Sequence, residues 1–472
     1  MRGSITALIC AVTLAATAGA GEMAGEHAAM EDGRGTSGSN AHPSRISDEV
    51  IPLQVDAVPD RPRPRLELGD PFLGVGPVGG WEFEIPTGAV WRPSLLLWGS
   101  LRTAIQRFDD GDTASSEWAN RLDLYGNLQL TGTERLVFGF RPFDQDEKNY
   151  SGVEFSPGDT DSRGEFNGRL NVLFFEGDFG EIFPGLDPED RMKLDYGFSV
   201  GRQPLLVQDG LLINDIIESV GVVRNTLLPR GVANLRITGL YGWGHIDRGT
   251  NRRDSSANLY GLFSEADFQT STVSVDLVFV DSKPDRGDAF FIAASAVQRI
   301  GHFNTTFRAM GSIPTGRDTP DADGGALLVS EVSFKPLRTD NIAYLNVFAG
   351  IGDFVSAARR RGAGGPLGRV GILFASPEIG RYAPPLSNDA QDVVGASVGY
   401  QMFLGNIRRQ LILELGARQD TDGSDTAAIA GGVRFQQAFG QHHILQLDGF
   451  IGGRNGTSGL ASGVRCEWRI KF

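Results

Sequence analysis

From Pro93 to the C-terminus the chain alternates apolar and polar residues in segments of about ten to thirteen, each ended by turn-forming stretches. In "NRLDLYGNLQL", Leu122, Leu124, Gly126, Leu128 and Leu130 oppose Arg121, Asp123, Tyr125, Asn127 and Gln129. Strand side chains point to opposite faces with period two, so each segment predicts a ribbon with one greasy face and one polar face. The same pattern runs through 94–107 and through 270–281, where Val273, Val275, Leu277 and Phe279 oppose Thr272, Ser274 and Asp276. It closes the chain, with Val464, Cys466, Trp468, Ile470 and Phe472 on one parity and Arg465, Glu467, Arg469 and Lys471 on the other. Soluble strands run to about 5–6 residues, whereas a tilted membrane strand needs about 9–11.

The connections alternate too. "TGTE", "IGHF", "PLRTDN", "LGNI" and "FGQH" are tight, while "DQDEKNYSGVEFSPGDTDSRGE", "RGTNRRDSS", "TGRDTPDADGG" and "QDTDGSD" are long and polar. Short turns on one rim and long loops on the other are the pattern of a transmembrane antiparallel β-barrel. An even count follows if 354–390 is one long extracellular loop. Eighteen strands then lie near 94–107, 119–131, 135–142, 165–176, 193–203, 215–226, 231–244, 256–267, 270–281, 288–300, 303–313, 326–337, 340–353, 391–404, 407–418, 426–438, 441–452 and 459–472. Sixteen is the alternative count. Only a closed barrel satisfies every backbone group of strands in hydrocarbon.

Composition changes this picture at the N-terminus only. "MRGSITALICAVTLAATAGA" carries Arg2, an apolar run and an A-x-A site, so 1–20 reads as a signal peptide. Residues 21–92, rich in Gly, Pro, Ser and acids, read as a flexible periplasmic lead, and 93–472 as the barrel. With Cys10 in the leader, Cys466 is left without an intramolecular partner. A net charge of −14 argues against nucleic acid as a partner.

The inward parity places Arg102, Arg121, Arg141, Arg169, Arg236, Arg308, Arg418 and Arg434 on the lumen, with Arg465 and Arg469. The corresponding acids are Asp123, Asp195, Asp276, Glu331, Glu414, Asp448 and Glu467. Guanidiniums around a water-filled constriction attract anions and grip carboxylate or phosphate in pairs. The same arginines could instead pair with the acids and brace the wall.

"GRQPLLVQDGLLIND", 201–215, breaks the alternation. Pro204 is expected to stop a wall strand, and Asp209, Asn214 and Asp215 supply turn chemistry, so the segment reads as a loop folded against or into the pore. Arg359, Arg360 and Arg361 in the long loop read as a second gating element, hanging over the mouth as an anion lure, binding lipopolysaccharide phosphates, or merely solvated. "GRQ", Asp209-Gly210 and "ESVGVVRN" together resemble the outer-membrane alginate-export and related porin families. That resemblance implies an eighteen-stranded barrel whose arginine-lined lumen carries an anionic polysaccharide or small solutes. The terminal Phe resembles the signal that outer-membrane proteins present to the barrel-assembly machinery.

The six histidines show no metal-ligand spacing, no nucleophile signature accompanies them, and the Asp-rich loops lack a full calcium ladder. No cofactor, metal or catalytic residue is therefore assigned. The reading is an outer-membrane channel, porin or exporter, for small anionic solutes or an anionic polysaccharide, surrounded by lipid and lipopolysaccharide, with a homo-oligomer as one arrangement. The competing classes are an outer-membrane hydrolase and a non-conducting adhesin or scaffold.

Overall fold

A computed structural model describes residues 64–69, 81–145, 148–155, 162–164, 166–189, 193–316, 319–424, 426–457 and 459–472. The expected signal peptide and most of the lead lie outside the described residues.

Eighteen antiparallel strands form one closed wall. They are β1 (Ser94–Asp109), β2 (Ala114–Gln129), β3 (Arg135–Phe140), β4 (Leu170–Asp178), β5 (Tyr196–Val207), β6 (Ile213–Leu227), β7 (Asn234–Trp243), β8 (Asn258–Asp267) and β9 (Ser271–Asp281). The second half comprises β10 (Ala289–Ile300), β11 (Phe303–Pro314), β12 (Gly325–Phe334), β13 (Ile342–Gly352), β14 (Val393–Phe403), β15 (Arg409–Asp420), β16 (Ala427–Phe439), β17 (His443–Arg454) and β18 (Ala461–Lys471). β18 pairs back onto β1 from Ser462↔Asp109 to Lys471↔Ser100, which closes the ring. Every strand range expected from alternation corresponds to one of these strands, and 354–390 contributes none of the wall.

Phe472 exchanges both backbone bonds with Gly99, at 2.7 and 3.0 Å. Leu66–Leu68 then takes the next edge positions of β1, pairing with Leu97, Leu96 and Leu95. A small hairpin, Phe83–Glu84 against Val90–Trp91, precedes β1, so the described part of the lead is structured where a flexible segment was expected.

The greasy parity faces outward. Ile105, Ile351, Leu415 and Val464 are between 52% and 62% exposed, and Tyr241, Tyr260 and Phe279 form an aromatic row on adjoining strands, with ring centroids 5.2 and 6.4 Å apart. A continuous exposed apolar belt of this kind belongs in lipid.

The inward parity is not polar throughout. Along β9, Thr272, Ser274 and Asp276 give way to Val278 and Val280, which are fully buried. There the barrel holds a dry core inside its lumen, built from Val278, Phe291, Leu327 and Phe348 of the wall and from Leu212, Leu367 and Phe374 of inserted segments. Each such side chain removed from water contributes about 1.5–3 kcal/mol. The sources are the tip of the β5–β6 hairpin and the long β13–β14 loop, both of which turn inward. Pro204 lies within β5 opposite Ile216 and does not end it. Pairing with β4 stops at Arg202↔Leu173, so Pro204 is bonded on one side only, where a missing N–H is tolerated.

Candidate functional site: the basic wall of the lumen

The strands on either side of the seam carry a cluster of arginines on their inner face. Arg102 comes from β1, Arg121 from β2, Arg141 follows β3, Arg434 lies on β16, and Arg465 and Arg469 lie on β18. The register brings them together, with Arg102 opposite both Arg121 and Arg469. Three wall carboxylates hold them. Asp123 accepts from Arg121 at 2.8 Å and from Arg141 at 2.7 Å. Asp448 accepts from Arg434 at 2.6 Å and from Arg465 at 2.9 Å. Glu467 takes Arg102 at 2.7 Å, Arg469 at 2.9 Å and also Arg465. Six guanidiniums against these three wall carboxylates leave three more positive than negative charges on the wall, with Glu378 of the long loop as a further carboxylate 3.8 Å from Arg121. Glu117, higher on the same face, is occupied by Gln106 and the backbone N–H of Arg381.

The other expected lumen arginines do other work. Arg236 pairs with Glu265 at 2.6 Å, and Arg308 bonds to Glu331 and to Asp209 of the hairpin tip, all on the wall across the barrel. That wall borders a recess of about 540 Å³ lined by Asp209, Glu265, Asp276, Arg236, Arg308 and Phe263 among others. Four carboxylates (Asp209, Glu265, Asp276, Glu331) face two arginines there, so the charge across the lumen is polarised. Arg418 ties down the long loop through Ser387 O at 2.7 Å and pairs with Asp420. Arg169 is exposed just ahead of β4, outside the cluster, because the strand begins only at Leu170 and alternation does not extend to it. Asp195 is likewise not lumenal, pairing with Arg224 beside the Tyr196 ring at the β4–β5 turn.

The inserted segments are fastened rather than loose. Gln208, Asp209 and Gly210 all have positive φ, at 53°, 53° and 82°, a costly run for two non-glycines. Gln208 bonds Asp276 at 2.7 Å, and Asp209 reaches Arg308. Asn214 O accepts from the backbone of Arg360 at 2.9 Å, and Asp215 accepts from Asp247 N at 2.8 Å. Arg359 does not hang over the mouth. It is 2% exposed and donates to three carbonyls. Arg360 pairs with Glu378. Arg361 keeps an exposed side chain, while its carbonyl accepts from Asn149 at 3.0 Å. Among the Asp-rich loops, Asp321 is engaged by Arg286 at 2.7 Å and by Thr250.

Two groups escaped the reading of the sequence. Glu378 and its neighbours in the long loop meet the basic wall, but nothing periodic marks them. Trp98 and Tyr125 stack at 5.7 Å on the same inner face; their parity was visible, yet their partnership depends on the β1–β2 register.

No protein-family model matches the chain, and no curated protein matches it. Among solved structures it is similar to OccK2 (OpdF) of Pseudomonas aeruginosa, with 10% identity and a TM-score of 0.55 over 80% of this chain and 97% of that one. It is similar to a BenF-like porin from Pseudomonas fluorescens Pf-5, with 12% identity and a TM-score of 0.54 over 80% and 98%. It is also similar to OprD of Pseudomonas aeruginosa, with 10% identity and a TM-score of 0.53 over 80% and 95%. The likeness to alginate-export barrels read from residues 201–225 gains no support from these matches. Closed wall, lipid-facing belt and structural likeness together give this chain the fold of an eighteen-stranded outer-membrane β-barrel porin.

Proposed function

We propose that the protein is an outer-membrane channel through which small anionic solutes pass passively, selected by the basic wall. The observation that carries this reading is the charge excess there: Arg102, Arg121, Arg141, Arg434, Arg465 and Arg469 share Asp123, Asp448 and Glu467. Full pairing would have braced the wall without leaving a field. The surplus attracts anions, and low-dielectric walls focus it. The acidic wall opposite sharpens the gradient, so a carboxylate or phosphate is drawn to one side of the lumen. The inserted hairpin tip and loop narrow the space and favour small solutes over a polymer. In planar bilayers under asymmetric KCl, the reversal potential is expected to show chloride preferred over potassium. Cation preference, or no current at all, would remove this reading.

A further inference from the structure

The long loop sends a short strap, 377–381, along the inner face of β1 and β2. Three successive carbonyls of this strap meet donors of the wall. Pro377 O accepts from Arg102 Nη2 at 3.1 Å, Glu378 O lies 3.5 Å from Arg121 Nη1, and Ile379 O accepts from Gln106 Nε2 at 3.1 Å. The Glu378 side chain adds a negative charge, with Oε2 3.8 Å from Arg121 and bonded to Arg360. Glu378 has φ 56°, a left-handed backbone that non-glycine residues rarely adopt. Gly380, at φ 74°, presses so close that an added Cβ would lie 1.9 Å from Gln106 Nε2 and 2.3 Å from Glu117 Oε1. Packing of Ile379 with Ala104, Ala119 and Tyr150 anchors the strap. That packing explains its position but not a carboxylate turned towards arginines.

A carboxylate beside a row of carbonyls offers these donors what a permeating anion would offer them. Building on the anion-channel reading, we propose that the strap is a built-in counter-anion. The Glu378 carboxylate stands beside Arg121 when no solute is present, and solute anions bind by exchange with that side chain, while the anchored carbonyls stay in place. Conduction needs sites weak enough to leave as well as strong enough to enter. A tethered competitor supplies that weakening, and Glu378 thereby sets how strongly the wall prefers anions.

The test uses the full-length protein in planar bilayers, comparing wild type with Glu378→Gln. The chloride-to-potassium permeability ratio is expected to rise roughly two- to fivefold, the size of one unit charge about 4 Å away in water-like dielectric. Block by inorganic phosphate should appear at correspondingly lower concentration. Glu378→Asp should keep the wild-type ratio. Asp422→Asn, an exposed carboxylate in the β15–β16 loop away from the strap, should leave it unchanged. An anion-selective wild type with Glu378→Gln indistinguishable from Asp422→Asn would overturn the counter-anion alone. So would glucose permeation rising in step with chloride, because the strap would then act by width. A wild-type channel without anion preference would remove the anion-channel reading, and this proposal with it.

Discussion

Replacing Arg359 by Met tests whether one side chain ties the long loop to the hairpin tip. Its guanidinium donates to Gly364 O and Gly365 O at 2.6 Å within the loop, and to Gly210 O at 2.5 Å in the β5–β6 tip. Burial lowers its pKa to about 10, so it remains charged at neutral pH. Hydrogen bonds from a charged donor contribute about 1.5–3 kcal/mol each, and the orphaned carbonyls stay buried in the variant. Set against this, Met no longer carries the several kcal/mol that desolvating an ion costs. The net loss of local stability is therefore well below the sum of three bonds, about 3 kcal/mol. Because 1.4 kcal/mol is a factor of ten, amides of 353–365 should exchange with solvent roughly a hundredfold faster, provided they exchange through local opening. Hydrogen exchange read by mass spectrometry, on barrels in nanodiscs, measures this directly. The strands β9–β12 should keep their protection. Unchanged exchange in 353–365, or a uniform rise throughout the wall, would refute the idea of a local tie.

The remaining predictions concern the wall. Leu415→Arg places a charge on the exposed outer face in the middle of β15, and should cost about 2–4 kcal/mol in liposome unfolding if that face lies at the bilayer midplane. Full retention of stability would mean that the apolar belt does not sit in lipid. Glu467→Gln removes the carboxylate shared by Arg102, Arg465 and Arg469. Breaking a buried pair on one side costs about 3–5 kcal/mol. Anion preference should rise in the same variant, measured as reversal potential. A variant as stable as wild type would show that Glu467 does not hold the cluster.

Architecture was legible in the sequence because a barrel strand carries its own signature. Leu122, Leu124 and Leu128 opposite Arg121, Asp123 and Asn127 state which face turns inward, and alternation over so many residues fits a membrane-length ribbon. On the closing strand too, the parity of Arg465 and Arg469 places both inside. The inner arginines of strands β1, β2, β16 and β18 could be named for the same reason.

What the tertiary structure alone decided is what stands opposite each inner face. Period two tells inside from outside but carries no information on whether the inside meets water, an ion pair or an inserted loop. Val278 and Val280 share the parity of Asp276, yet they are buried because Leu212 and the long loop fill that end of the lumen. Arg359 read as part of an exposed basic run, as lure, lipopolysaccharide contact or solvated loop; it is buried because Gly210 O, far off in the chain, joins two carbonyls of its own loop in meeting it. Pro204 stands in a strand because pairing with its neighbour β4 has already stopped at Arg202, so that side needs no N–H from it. Glu378 meets Arg121, a residue of β2 far off in sequence, only in the folded barrel. Alternation is a local property of the backbone, whereas pairing, burial and net charge in the lumen arise from contacts that exist only once the ring has closed.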